Sequence, residues 1–353
     1  MMMRTITCGL FLTLIIAASA QSQQVNYEIG TVGFYNLENL FDTLDTPDKR
    51  DHEFTPEGRN RWNSEKYLFK LDQLSKVIKD IGTSIHPAGL AVLAVSEVEN
   101  RDVLEDLVAH PELKDRNYQI VFEEGPDRRG IDVGLLYNPQ FFEVESWKSY
   151  RLSMADTSFR TRDQLLVTGK LSGERIHMIV AHWPSRSGGQ KRSEPKRIAA
   201  AELGRHIVDS LMTAEDDAAI LYLGDLNDDP VNKSLTRVMK ATGDRSFARG
   251  DRLFNPMEDL YQKGIGSLAW RDTWNLFDQI LLSPGLMEEK QGKWTYHTAR
   301  VYNKPYLLQT SGSYKGYPLR TFAGGAWTKG YSDHFPVYVI LKRPIDPLLI
   351  DQE

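Results

Sequence analysis

The sequence predicts an α/β protein in which two packed mixed β-sheets carry helices on their outer faces. Three observations point there: apolar, β-branched runs bounded by turn residues, amphipathic segments at helical spacing between some of them, and a middle stretch where strands succeed one another without a helix. At 353 residues the chain can bury a large core, and its 41% hydrophobic and 26% charged residues exclude a disordered or collagen-like polymer.

In chain order, strands are expected at Gly30 to Tyr35, Leu90 to Val95, Tyr118 to Phe122, Ile131 to Tyr137, Leu165 to Leu171, Ile176 to Ala181, Ala219 to Leu223, Leu276 to Leu282 and Val337 to Leu341. Ser64 to Ile81 reads as a helix, because Tyr67, Leu68, Leu71, Leu74, Val77, Ile78 and Ile81 fall on one stripe. Glu194 to Met212 repeats the pattern with Ile198, Leu203, Ile207 and Leu211, and Asn100 can cap a short helix from Arg101 to Ala109. From Ile131 to Ala181 the connections are short, which favours antiparallel pairing and leaves a doubly wound parallel sheet as the alternative fold. The segment from Lys290 to Tyr331 is rich in Gly and aromatics with little periodicity, the signature of a functional loop.

The N-terminus has the three parts of a secretory signal: Arg4, an apolar stretch from Cys8 to Ala20, and the small-residue pattern Ala18-Ser19-Ala20 before Gln21. A membrane span needs about 20 apolar residues, and Gln21 to Gln24 end this run too early. The reading is therefore a signal at 1–20, a single catalytic domain at 25–343 and an irregular tail at 344–353, in a secreted or periplasmic protein without a transmembrane segment after cleavage. The sole cysteine leaves with the signal, so any metal must be held by oxygen and nitrogen ligands. Cleavage removes one Arg and no acid, so the formal charge moves from −5 to −6, against the basic field of a non-specific nucleic-acid binder.

Two polar clusters stand at strand ends, Gly224-Asp225-Leu226-Asn227-Asp228 and Ser332-Asp333-His334. The first begins like a calcium loop, but Pro230 stands where the sharp turn needs Gly and Thr236 where a bidentate Glu should close it. Gly264 to Ala269 fits a loose dinucleotide fingerprint yet lacks the flanking strand and helix. Ser332, Asp333 and His334 cannot form a nucleophilic relay, since neighbours on an extended chain point to opposite faces. What carries weight is the constellation. Asn36, Glu97, His182, Asp225, Asn227, Asp278 and His334 all end or begin apolar strands, and packing alone does not place acid, amide and imidazole groups at so many strand ends.

With these motifs in this chain order, the sequence resembles the endonuclease/exonuclease/phosphatase superfamily from about Gly30 to Leu341. The resemblance implies a four-layer α/β/β/α sandwich and hydrolysis of phosphoesters with a divalent cation, commonly Mg²⁺, with Mn²⁺ or Ca²⁺ as alternatives. It implies that Glu97 ligates the metal beside Asn36, with Asp333 in a second or outer shell. Asp225 and Asn227 would position water and phosphoryl oxygens, and His334, oriented by Asp278, would be general base or electrophilic contact. His182, in His-Trp-Pro-Ser-Arg, resembles the secreted deoxyribonuclease and sphingomyelinase branch, which carries His at this strand end, whereas apurinic-site endonucleases commonly carry Tyr; it would donate to phosphate or the leaving oxygen. Arg162 resembles the arginine supporting the phosphate site, and Arg186, Lys315 and Arg320 are further phosphate-binding candidates. Trp270, Trp274 and Trp327 offer faces for stacking bases.

The functional expectation is a secreted phosphodiesterase or endonuclease acting as a monomer, without an obligate protein partner, on a phosphoester that includes nucleic acid among its candidates. A phospholipid hydrolase of sphingomyelinase type and a sugar or inositol phosphate hydrolase are the alternatives, and the non-enzymatic one is a secreted binding protein on the same fold.

Overall fold

The computed structural model describes residues 26–345, so the expected signal at 1–20 and the end of the expected tail lie outside the described residues. The strands are β1 (Asn26–Leu40), β2 (Val92–Val98), β3 (Gln119–Phe122), β4 (Asp132–Tyr137), β5 (Phe142–Tyr150), β6 (Gln164–Leu171), β7 (Glu174–His182), β8 (Ile220–Asp225), β9 (Ala241–Thr242), β10 (Leu253–Phe254), β11 (Leu268–Trp270), β12 (Thr273–Asn275), β13 (Asp278–Leu282), β14 (Thr295–Val301), β15 (Phe322–Ala323), β16 (Ala326–Trp327) and β17 (Val337–Ile345). The α-helices are α1 (Ser64–Asp80), α2 (Arg101–Ala109), α3 (Gln190–Ala214) and α4 (Met257–Gln262). Asn63 and Asn100 cap α1 and α2 by accepting from Lys66 N and Val103 N.

One mixed sheet runs β14-β17-β1-β2-β4-β3 and a second β5-β6-β7-β8-β13-β10-β9, while β11–β12 and β15–β16 are separate hairpins. Strand alternation sorts the core into layers. Val32 and Phe34 of β1, Met178 and Val180 of β7 and Leu221 and Leu223 of β8 meet between the sheets. The opposite faces point outward, where Tyr35, Leu93 and Val95 pack with Leu71, Leu74 and Ile78 of α1, and Ile179, Ala181 and Tyr222 pack with Ala200, Ala201 and Val208 of α3. This is the expected four-layer α/β/β/α sandwich, and the doubly wound single sheet is excluded.

Eight strands escaped the sequence reading: β9, β10, β11, β12, β15 and β16, each of two or three residues, and the longer β5 and β14. β5 and β14 are sheet edges: β5 is mostly exposed, Trp147 included, and β14, buried only in part, interrupts the segment from Lys290 to Tyr331 that reads as loop. The apolar stripe expected on α3 meets the core at Ile207, which is buried, and at Leu203 and Leu211, which are partly buried, while Ile198 is only half-buried. The buried face also takes in Arg197, Ala200, Ala201, Gly204 and Val208, and a Cβ on Gly204 would stand 2.6 Å from the Tyr222 ring, so small residues let this helix lie against the sheet. Among the described residues no helix is long and apolar enough to cross a membrane.

Candidate active site

Register brings the predicted residues together. In the parallel β7–β8 pair His182 is opposite Asp225, and in the antiparallel β8–β13 pair Asp225 is opposite Asp278, so three adjacent strands present them in one row. β7 and β8 approach closely here: a Cβ on Gly224 would lie 1.8 Å from the Ala181 carbonyl oxygen. From the other sheet Asn36 reaches across, its Nδ2 donating to Asp225 Oδ2 at 3.1 Å. The chain entering β17 is pinned to β1 by Ser332 Oγ, which donates to Asn36 O at 2.7 Å and accepts from His334 N at 3.1 Å.

Backbone strain gathers at the same place. Glu38, Asn39, Glu97 and Asn227 have φ of 49°, 53°, 59° and 50°, and the β1–β2 ladder is irregular between Asn36 and Leu40. Non-Gly residues in the left-handed region cost free energy that a well-packed frame must offset, and they cluster at functional sites. The irregularity takes Glu97 out of strict alternation, and Asn39 N donates to Glu97 Oε2 at 3.0 Å.

Asp225 Oδ2 is the hub: besides Asn36, it lies 3.5 Å from His182 Nε2 and 4.0 Å from His334 Nε2. Its Oδ1 accepts from Asn227 N at 3.0 Å. Burial pushes the Asp225 carboxyl up to about 7, with Asp278 and Glu97 adding to the shift and His334 and the Asn227 amide opposing it. The two imidazoles are driven apart. Burial, with Arg162 and Arg129, holds His182 well below its ordinary value and therefore neutral. Burial alone would do the same to His334, but Asp278, Asp225 and Asp333 outweigh it and raise its pKa well above the ordinary value. Asp278 Oδ2 lies 2.7 Å from His334 Nδ1, and Ser267 Oγ donates to the same oxygen. His182 Nδ1 and Asp278 Oδ1 are buried without a hydrogen-bond partner, an open polar valence that costs about 1–3 kcal/mol and is retained where a site requires it.

The donor set fits a hard divalent cation. Glu97 is only partly exposed and Asn36 Oδ1 accepts from Glu38 N alone, at 2.9 Å, so both keep oxygen lone pairs beside an excess of acidic groups. Arg129, 3.6 Å from Glu97 Oε1, is half exposed and does not neutralise that excess. Asp333 is committed on one side, with Arg320 Nη2 donating to Oδ2 at 2.7 Å, and its Oδ1 faces His334 Nε2 at 4.0 Å. The three closest potential ligands of His and acid type are instead Asp225, Asp278 and His334, a group already tied together by the histidine–carboxyl bond.

The basic candidates separate. Arg162 is half-buried, its guanidinium donating to Asp127 Oδ2 at 3.1 Å and to O of Trp183, the residue after His182, at 2.6 Å. Arg186 is not free for phosphate: Nε donates to Asn227 O at 2.9 Å, Nη2 reaches Asp228, Asp229 and Asn232, and the plane covers Phe277 at 4.3 Å. It clamps the turn that carries Asn227. Lys315 is exposed on the turn closed by Lys315 N to Gly312 O and makes no side-chain bond to the cluster among the described residues. Arg320 borders the site through Asp333 and Glu38. Of the three tryptophans, Trp274 stacks on Phe335 at 5.9 Å and Trp327 packs edge-on against Phe69 at 5.4 Å, while Trp270 is exposed, with the neighbouring Arg271 guanidinium 5.6 Å from its ring.

Residues absent from the sequence reading complete the frame. Buried Glu38 accepts from Thr321 N at 2.7 Å, and fully buried Lys70 donates to Thr321 Oγ1 and Tyr331 O, both at 2.7 Å, so α1 holds the chain leading into Asp333. Burial raises the Glu38 pKa and lowers that of Lys70. Ser267 lies in the very stretch read as a false dinucleotide motif; nothing in its neighbours signals contact with Asp278.

Solved structures share this architecture. D. rerio TDP2 complexed with a single strand DNA product aligns at a TM-score of 0.54 with 14% identity, covering 89% of this chain and 98% of that one. An endonuclease/exonuclease/phosphatase family protein from Bacteroides thetaiotaomicron aligns at 0.54 with 16% identity over 90% and 98%. A mannosyl-6-phosphatase from Bacteroides thetaiotaomicron VPI-5482 aligns at 0.52 with 16% identity over 88% and 99%. No curated protein matches the sequence. The family model of the Endonuclease/Exonuclease/phosphatase family matches residues 31–343, both sheets included, and the chain belongs to that family of divalent-metal-dependent phosphoester hydrolases.

Proposed function

We propose that this protein is a secreted phosphodiesterase of nuclease-like type, acting as a monomer. The observation that carries the reading is the hub at Asp225 Oδ2, which has an amide, a neutral imidazole and a charged imidazole around it at 3.1, 3.5 and 4.0 Å. Such an arrangement suits a phosphoryl group between two histidines and a water at the carboxyl. Asp225 orients that water and accepts its proton as the water oxygen bonds to phosphorus. The bond from phosphorus to the departing oxygen breaks on the opposite side, and that oxygen takes its proton from solvent.

His334, charged and held by Asp278, donates to a phosphoryl oxygen, so its role is electrophilic contact and not general base. His182 and the Asn227 amide point at the same phosphoryl group, and Arg162 fixes their backbone through Trp183 O, to which Asn227 Nδ2 also donates at 2.9 Å. Arg162 and Arg186 are thereby positioning residues. Glu97 and Asn36 would hold the divalent cation, Mg²⁺ in the simplest case, with Asp333 in its outer shell; when bound, it neutralises charge developing on phosphate. The nuclease preference draws support from His182 and from the complex of the neighbouring D. rerio TDP2 with single strand DNA product. His334→Ala and Glu97→Ala should each abolish hydrolysis of a chromogenic phosphodiester while leaving the circular dichroism spectrum intact; wild-type turnover in either would end the assignment.

A further inference from the structure

We infer that the substrate is a phosphodiester with two organic arms, one of them bearing a ring that lies against Trp270 and Tyr314; the inference rests on the phosphoester-hydrolase reading above. Trp270 and Arg271 stand at the tip of the β11–β12 hairpin, and a groove lies on either side of them. The first, about 410 Å³, runs between Trp270 and the turn carrying Ser313, Tyr314 and Tyr317; the second, about 950 Å³, runs along Ser185, Ser187, Gly188 and Gly189 to Asn275 and Phe277. Both end at Arg320 and Asp333, and Asp333 Oδ1 is 4.0 Å from His334 Nε2. A phosphoryl group seated at His334 therefore has one groove for each of two substituents. A monoester would use only one.

The first groove is built for a ring. Trp270 is 63% exposed and Tyr314 58% exposed, a large apolar area to leave in water without a use. Their positions are fixed from below. Tyr317 Oη donates to Asp272 Oδ1 at 2.7 Å and accepts from Asp272 N at 2.6 Å, tying the hairpin tip to the turn, while the Tyr314 ring rests on Tyr317 at 5.7 Å. Trp274, on the same hairpin, stacks on Phe335, the residue after His334, so this wall is anchored to the catalytic strand entry. Charge argues against a polyanion track. Arg320 is occupied by Asp333 and Glu38, while Arg271 and Asp272, one of each sign, have no ion-pair partner among the described residues: Asp272 is hydrogen-bonded to Tyr317 and the Arg271 guanidinium lies 5.6 Å from the Trp270 ring, so the groove carries no net excess of positive charge. An uncharged ring with polar edges fits this wall, and its stacking is worth about 1–3 kcal/mol, roughly 5- to 150-fold. The ring face can belong to a nucleobase or to a hexopyranose.

The test compares wild type, Trp270→Ala, Trp270→Phe and Tyr314→Ala on four esters: thymidine 5′-(4-nitrophenyl phosphate), glucose 6-(4-nitrophenyl phosphate), methyl 4-nitrophenyl phosphate and the monoester 4-nitrophenyl phosphate. Expected is a faster reaction with diesters than with the monoester. The ratio of kcat/KM for a ring-bearing diester over the methyl diester should fall about tenfold in Trp270→Ala and be largely restored in Trp270→Phe. Whichever ring shows the larger fall identifies the arm. An unchanged ratio for both rings, or a preference for the monoester, overturns the inference while the hydrolase reading stands. Calorimetric titration with thymidine 5′-phosphate and glucose 6-phosphate judges the groove independently of turnover: weaker binding of either by Trp270→Ala supports it even if no ester is cleaved, and equal binding by both proteins counts against it.

Discussion

His334 and Asp278 show how residue-level chemistry is set by neighbours that the sequence scatters. The Gly-Asp-x-Asn and Ser-Asp-His groups at strand ends were legible because acid, amide and imidazole at the end of apolar runs have no packing explanation. Ser267 was not, since only the fold brings its hydroxyl to Asp278, and Arg186 was misread because its spacing could not show that the turn at 227–232 folds back over it. Asp278 is the strongest of the influences that raise His334, through charge and hydrogen bond together. Asp278→Asn should therefore lower kcat on the order of a hundredfold or more. It should also move the alkaline limb of the pH–rate profile to lower pH: in the proposed reaction the imidazolium is the working form, its raised pKa keeps it charged, and removing Asp278 lets it lose its proton sooner. An alkaline limb that stays in place would show that His334 is not the group titrating there.

At the scale of elements, the central strands were readable because both faces are buried and their apolar runs are continuous, whereas the edge strands β5 and β14 mix polar and apolar residues as half-wet strands do. The close approach of β7 and β8 was equally invisible, and it makes Gly224 a test of the row that carries His182 and Asp225. Gly224→Ala forces a methyl to 1.8 Å from the Ala181 carbonyl, so the variant should lose about 3 kcal/mol in urea unfolding, with activity falling in whatever folded fraction survives. At the start of β4, Asp132 sits buried with Gly125 N donating to Oδ2 at 2.8 Å, and burial raises its pKa to about 7. An acid whose folded pKa is raised binds its proton more tightly when folded. Its stabilising contribution is thus complete below about pH 4 and is lost as the pH rises to about 7. Asp132→Asn keeps the acceptor without the charge and should gain on wild type between those limits, by a few kcal/mol at most, at pH 8. Equal melting temperatures for the two proteins at pH 8 would contradict the burial argument.

For the whole molecule, the question is what the site costs the sandwich before anything binds. Three layers of apolar contact support the sheets without reference to the site, so the fold should survive removal of the cation even though activity does not. The open end of the sandwich nevertheless concentrates Glu38, Glu97, Asp225, Asp278 and Asp333 against Lys70, Arg320 and His334, and the raised Asp225 carboxyl records the imbalance. A divalent cation held as proposed at Glu97 and Asn36 would bind only where β1 and β2 are assembled, and so would stabilise the folded state in proportion to its occupancy, by about 2.7 kcal/mol at a hundredfold excess over Kd. EDTA treatment should therefore abolish hydrolysis while leaving a cooperative melt, and adding Mg²⁺ or Mn²⁺ to the stripped protein should raise Tm by about 5 °C along with activity. Glu97→Gln should lose both responses together. A melting temperature indifferent to either ion, in a protein whose activity still needs one, would place the cation on the substrate and not on the strand ends.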